Sequence, residues 1–114
     1  GIAVYFGQKD CAYCKALMEV NLKTPDIQRY MRKHFDVIAV DIWNTREVVD
    51  PQGVVMTERE FSIREQTNFT PSFIFYDLDG KIALRLRGYY PPYAFRAALK
   101  YVVEGFYKEE TITA

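Results

Sequence analysis

Cys11 and Cys14 are the only cysteines in the 114-residue chain, and they stand three positions apart as Cys11-Ala-Tyr-Cys14. In a helix this spacing puts two side chains on the same side of one turn, within disulfide reach. Cys11 falls at an expected helix start, where backbone N–H groups lack intrahelical partners and the helix dipole is positive. Both favour thiolate over thiol, and the thiolate is the attacking species. Cys14 falls one turn inside, where N–H groups are paired and a side chain is more buried. The pair is asymmetric: Cys11 is the exposed nucleophile and Cys14 the resolving thiol. Lys15 adds a favourable charge and Asp10 an opposing one.

Other uses of the pair compete with redox chemistry. A purely structural disulfide across so short a loop removes little unfolded-state entropy. A metal site needs two further ligands. The sole histidine, His34, lies roughly 30 Å away if the helix is continuous at ~1.5 Å per residue, though a break at Pro25 shortens that. Two unrelated buried thiols are the third alternative. Thiol–disulfide exchange accounts best for the spacing and the position together.

The composition narrows the setting. Lys plus Arg and Asp plus Glu number 15 each, so the formal charge is zero, unlike that of a typical nucleic-acid binder. Nine Tyr, eight Phe and one Trp within an apolar share of 49% supply a core for one domain over residues 1–114. Apolar runs such as 2–6 and 37–40 are far short of the roughly 20 residues a membrane span needs. The chain opens at Gly1 with no basic n-region or cleavage site ahead of it, which is consistent with a leader or tether having been removed.

The elements that must position the cysteines follow from local pattern. Ile2 to Phe6 reads as a buried strand, and Gly7 to Asp10 as a short connector. A helix is expected from Ala12 to about Lys23, with Cys14, Leu17, Met18 and Leu22 on one face. Thr24-Pro25-Asp26 supplies an N-cap, a first-turn proline and a first-turn acid for a second helix carrying Ile27, Tyr30, Met31 and His34. Asp36 to Ile42 is the next strand. Val48-Val49 and Val54-Val55 flank Asp50-Pro-Gln-Gly53, a type I turn signal, so a small hairpin is expected. It is read as a partner-specificity element against plain loop elaboration. Thr57 and Glu60 form a capping box for a helix from Glu58 to about Gln66. Asn68 to Pro71 breaks the pattern, and strands follow over Ser72 to Tyr76 and Lys81 to Arg87. Asp77 to Gly80 makes their turn; its acids are too few for a calcium loop. The last helix carries Phe95, Ala98, Leu99, Val102, Val103 and Phe106 on one face. Helix-joined strands imply parallel pairing and the last two antiparallel pairing. The expected fold is α/β, a central mixed sheet of about four strands flanked by helices, with the hairpin inserted.

Taken together, these residues resemble the thioredoxin superfamily. The anchors are the strand leading to Cys11-Ala-Tyr-Cys14, the strand ending at Asp41, Thr70-Pro71 opening a strand, and Gly88 after the final one. The Val-Asp-Ile strand, the hairpin, Thr57-Glu58-Arg-Glu60, Thr-Pro-Ser-Phe and Gly-Tyr followed by Pro-Pro look most like bacterial periplasmic thioredoxin-like proteins of sulfur-oxidation operons (SoxW-like).

The resemblance implies a protein thiol–disulfide oxidoreductase, most like a reductase, with disulfide donor or isomerase, or a redox-inactive binding module, as alternatives. It implies a cis bond before Pro71 facing the cysteines, Thr70 offering its backbone to an extended substrate, and Gly88 allowing close approach. Tyr13, between the thiols, is a candidate substrate contact, with Trp43, Phe69, Tyr89 and Tyr90 expected near the same end. It further implies an exported, periplasmic monomer, with cytoplasmic location as the alternative. No cofactor or metal is required, and the partners are a disulfide-containing protein substrate and a resetting redox protein, in a periplasmic relative a membrane electron carrier. Three departures stand out: the Ala-Tyr dipeptide, Asp10 where an aromatic is usual, and Tyr5 where many thioredoxins bury an acid. Asp41 is the remaining candidate acceptor for the Cys14 proton. The N-terminal strand and helix common in thioredoxins are missing before Ile2, consistent with truncation.

Overall fold

The computed structural model describes residues 1–67 and 69–105. β1 (Ile2–Gly7) is central in a four-stranded sheet of order β2-β1-β5-β6, where β2 is Asp36–Asp41, β5 Ser72–Tyr76 and β6 Ile82–Arg87. β1 pairs with β2 in parallel (Gly7 opposite Asp41) and with β5 antiparallel (Phe6 opposite Ser72). β5 and β6 are antiparallel, joined through Asp77, whose N–H donates to Lys81 C=O at 2.8 Å and whose carboxylate accepts from the Asp79 and Lys81 amides. The expected α/β architecture is therefore present. The chain's two-residue side-chain alternation divides the core between the sheet's faces.

On one face Ala3, Phe73, Phe75 and Leu86 meet Leu17, Ile27 and Met31 from the first two helical segments and Phe95, Leu99 and Val102 from α4 (Pro92–Val103). On the other, Val4, Phe6, Val40 and Ile74 meet Phe61 of α3 (Glu58–Arg64). Phe6, Phe75 and Phe95 are fully buried, and burial of each such side chain contributes about 1.5–3 kcal/mol. Phe106, expected on the α4 face, and Asn68 lie outside the described residues.

The helix after the cysteines departs from expectation. α1 spans Ala12–Ala16 and continues as a π-helical turn, Leu17–Asn21, where Leu22 N–H reaches back to Leu17 C=O at 3.0 Å. Met18, expected inside, is 44% exposed, whereas Asn21 is fully buried. The segment ends at Asn21, short of Lys23. Thr24 occupies the N-cap position of α2 (Pro25–His34) but makes no side-chain cap; its hydroxyl donates to Val20 C=O at 2.7 Å, serving a carbonyl of the preceding helix end. Within α2, Ile27 and Met31 are buried as expected.

The inserted hairpin comprises β3 (Glu47–Val49) and β4 (Val55–Thr57), with Val49 opposite Val55. Its Asp50 carboxylate accepts from the Gln52 and Val54 amides and pairs with Arg64 Nη1 at 2.5 Å, pinning the turn to α3. The Thr57–Glu60 capping box opens α3 as expected, although the helix ends at Arg64. Gln52 Nε2 donates to Gly80 C=O at 2.8 Å. Gly80 lies between the end of β5 and the start of β6, beside the Ile2 end of β1. The hairpin tip therefore stands at the pole of the sheet away from the cysteines, and only its base is on their side.

The Arg64 hydrogen bond, helped by the Val54 and Gln52 amides, holds the Asp50 carboxyl below the usual carboxylate range. A depressed carboxyl contributes stability above its unfolded value and loses it as pH falls through the folded one. Asp50→Asn should therefore lower Tm at pH 7, with the gap to the parent closing as pH falls below the usual carboxylate range and the parent's own carboxyl protonates. A gap that does not change with pH would contradict this role for the pair.

Candidate functional site

β1 delivers the chain to the upper end of the sheet, and a four-residue connector turns it into α1. Gly7, the last residue of β1, is buried beneath the Tyr5 side chain; a Cβ there would collide with the Tyr5 hydroxyl. Asp10 takes φ 56°, a left-handed conformation that Asp tolerates better than an aromatic residue does. This bend sets Cys11 in the extended N-cap position of α1. Its Sγ accepts the Cys14 N–H at 3.2 Å, so a sulfur fills the capping role usually taken by an oxygen.

Cys11 and Cys14 are disulfide-bonded, with their Cα atoms 5.2 Å apart. Cys14 is buried at 5% exposure and Cys11 is half-buried. A cavity of about 670 Å³ opens beside them, lined by Tyr5, Gln8, Asp10, Lys15 and Met18 along with the two cysteines. From across the sheet the Thr70–Pro71 segment enters β5, and its peptide bond is cis. Pro71 is buried, and the Thr70 hydroxyl donates to Cys11 Sγ at 3.5 Å. Gly88, at φ 94°, donates its N–H to Pro71 C=O at 2.8 Å. A Cβ on Gly88 would stand 3.2 Å from the Phe69 ring. The structure thus brings Cys11, Cys14, Thr70, Pro71 and Gly88 to one end of the sheet.

The aromatic residues expected here divide into two kinds. Tyr13, Trp43 and Phe69 are exposed, whereas Tyr89 and Tyr90 are half-buried. Tyr13 stacks on Tyr89, with ring centroids 5.9 Å apart. The Tyr89 hydroxyl donates to Asn21 Oδ1 at 2.9 Å, and Asn21 Nδ2 donates to Tyr90 C=O at 2.6 Å. Asn21, the last residue of the π-helical turn, thus anchors the loop carrying Gly88. Asn21 stands seven residues after Cys14 and four after Leu17, on their face of the helix, but a polar residue there gives no core signal.

Asp41, the candidate acceptor for the Cys14 proton, and Tyr5, which stands where many thioredoxins bury an acid, are also located. Tyr5 faces the cysteine cavity, while Asp41 lines a neighbouring one with Gln8, Lys9, Trp43 and Asn44. Burial, and then the Asp41 charge, raises the Tyr5 phenol above its ordinary value. At neutral pH it is a hydrogen-bond donor and cannot serve as a base.

Residues 1–103 match the family model described as the thioredoxin-like domain. The chain belongs to that family. Among solved structures, this thioredoxin-like protein is similar to a thioredoxin-fold protein from Helicobacter pylori, at 27% identity and a TM-score of 0.83, covering 94% of this chain and 71% of that one. A thioredoxin from Thermus thermophilus is also 27% identical, with a TM-score of 0.69 over 90% of this chain and 72% of that chain. The periplasmic thioredoxin SoxS from Paracoccus pantotrophus shares the fold at 19% identity and a TM-score of 0.56, covering 90% of this chain and 94% of that one. Among curated proteins, no sequence matches. Family membership and the Cys11–Cys14 pair make this thioredoxin-like protein a thiol–disulfide oxidoreductase. No described helix is long and apolar enough to cross a membrane.

Asn21→Ala removes a fully buried amide and strands both the Tyr90 carbonyl and the Tyr89 hydroxyl. It should cost about 1–3 kcal/mol in urea unfolding. A loss below about 0.5 kcal/mol, the range of ordinary surface substitutions, would contradict the anchoring role.

Proposed function

We propose that the protein reduces disulfides in protein substrates, with Cys11 as the attacking sulfur and Cys14 as the resolving one. The observation that carries this reading is the asymmetry of the pair: Cys11 is half-buried at the helix N-cap, and Cys14 is buried one turn inside. The likeness to the Thermus thermophilus thioredoxin supports the reducing direction.

The Cys11 thiolate attacks one sulfur of the substrate disulfide. That S–S bond breaks, its other sulfur leaves as a thiolate, and a Cys11–substrate mixed disulfide forms. Cys14, deprotonated, then attacks the Cys11 sulfur and expels the second substrate sulfur. Two electrons pass to the substrate, and the Cys11–Cys14 disulfide remains. A separate dithiol partner must reduce it before the next cycle. During the mixed-disulfide stage an extended substrate segment lies along Thr70-Pro71, with Gly88 giving its backbone room and Tyr13 on its outer side. An exported, periplasmic setting belongs to the same proposal and rests on the resemblance to exported relatives. Cell fractionation tests it: recovery with the cytoplasmic fraction would refute it.

Cys14→Ser should trap a mixed disulfide through Cys11, whereas Cys11→Ser should trap none. Trapping through Cys14 would reverse the assignment. For the direction, the reduction potential should fall near the ~−270 mV of reducing thioredoxins. A value near the ~−120 mV of strong oxidants would make the protein a disulfide donor instead.

A further inference from the structure

Trp43, Gln8, Thr70 and Cys11 are joined by a continuous series of polar contacts. The Trp43 indole Nε1–H donates to Gln8 Oε1 at 2.7 Å, and Gln8 Nε2 donates to Thr70 Oγ1 at 2.7 Å. The Thr70 hydroxyl in turn donates to Cys11 Sγ at 3.5 Å. The first member decides the direction of the whole series. An indole nitrogen only donates, so the end of the Gln8 amide facing Trp43 must be its oxygen. The NH₂ end then faces Thr70 and occupies the hydroxyl oxygen as an acceptor, which leaves the hydroxyl proton for the sulfur. All three donors point toward Cys11, and hydrogen bonds aligned in this way polarise one another.

The start of the series is held in place, although the Trp43 side chain is 58% exposed. The Trp43 backbone N–H donates to Asp41 Oδ1 at 2.9 Å, and the Arg59 guanidinium lies 5.1 Å from the indole centroid. Arg59 N–H donates to Asn44 C=O at 2.9 Å, fixing the same loop to α3. Four separate segments thus converge on one sulfur: the loop after β2, the connector after β1, the entry to β5 and the start of α1. Thr70 makes its contact with Cys11, so the series treats the two cysteines unequally.

We propose that Gln8 and Trp43 are positioning residues that hold the Thr70 hydroxyl as a hydrogen-bond donor to Cys11 Sγ and so stabilise the Cys11 thiolate. This rests on the reading of Cys11 as the attacking sulfur. A disulfide sulfur is a weak acceptor and a thiolate a strong one, so the series strengthens when the disulfide is reduced. Thr70 touches the reacting atom, while Gln8 and Trp43 act through it. The charged and titratable groups facing Cys11 and this series are Tyr5 of β1, Lys9 and Asp10 of the connector, Lys15 of α1, Asp41 of β2 and Arg59 of α3, which lies over the Trp43 ring. All six are retained in the variants below, so the changes fall on the hydrogen bonds of the series.

The test is the pH profile of Cys11 alkylation by iodoacetamide, measured in the reduced Cys14→Ser protein. Thr70→Val deletes the donor to sulfur and should slow alkylation about tenfold at acidic pH, as expected for losing one hydrogen bond to a charged group. The rate at alkaline pH, where every molecule carries thiolate, should be little altered. Gln8→Met and Trp43→Phe keep bulk and ring but remove the polar links. Each should shift the profile in the same direction by a smaller factor, and neither should add to Thr70→Val. Profiles for Gln8→Met and Trp43→Phe that superpose on the parent would overturn the proposal, as would shifts undiminished in the Thr70→Val background. An unreactive Cys11 beside a reactive Cys14 in Cys11→Ser would instead overturn the assignment of the attacking sulfur, and this proposal with it.

Discussion

Cys11 Sγ accepts the Cys14 N–H at the first turn of α1, and the rest of the site depends on this contact. A helix start leaves its first amides without carbonyl partners, and something must accept from them. Here the acceptor is the sulfur itself. The contact ties the position of Cys11 to the formation of α1 and keeps the two sulfurs on one turn. It also turns an unsatisfied end of the backbone into a source of positive potential for a thiolate. The left-handed bend at Asp10 and the absence of a side chain at Gly7 allow β1 to reach this geometry within four residues.

The sheet supplies the opposing wall. Because β5 runs antiparallel to β1, its first residues stand beside the last residues of β1, and the entry segment Thr70-Pro71 faces the helix start. The large aromatic core on the α2/α4 face, with Phe73 and Phe75 stacked and Phe95 set edge-on to Phe73, fixes β5 against both helices. A rigid core thus holds the two halves of the site in register, while the exposed Tyr13, Trp43 and Phe69 leave the rim free to meet another chain. Formal neutrality is consistent with recognition through backbone and apolar surface in place of long-range charge steering.

Strand positions, the capping box of α3 and the order of elements were legible because each rests on local chemistry: β-branched and aromatic runs, Thr57 with Glu60, and turn residues at Asp77 to Gly80. The cysteine pair was legible for the same reason. The π-helical turn was not. Leu17 and Met18 fit a regular helical stripe equally well, and Asn21, on the same face as Cys14, is polar; its burial is matched by partners on the distant Tyr89–Tyr90 loop. Thr24 looked like a cap, yet its hydroxyl serves a carbonyl behind it. Gln8 carried no signal, since a lone glutamine in a connector has no periodicity or motif. Its importance comes from the meeting of Trp43 and Thr70, 35 and 62 residues away in the chain. Contacts of this range are set by topology.

The central claim is that fold geometry makes two chemically identical thiols unequal. Differential alkylation of the fully reduced protein, with peptide mass spectrometry at and just below neutral pH, measures that inequality directly. Early modification should fall on Cys11 and leave Cys14 protected. Equal modification of both residues, or modification of Cys14 first, would contradict the account.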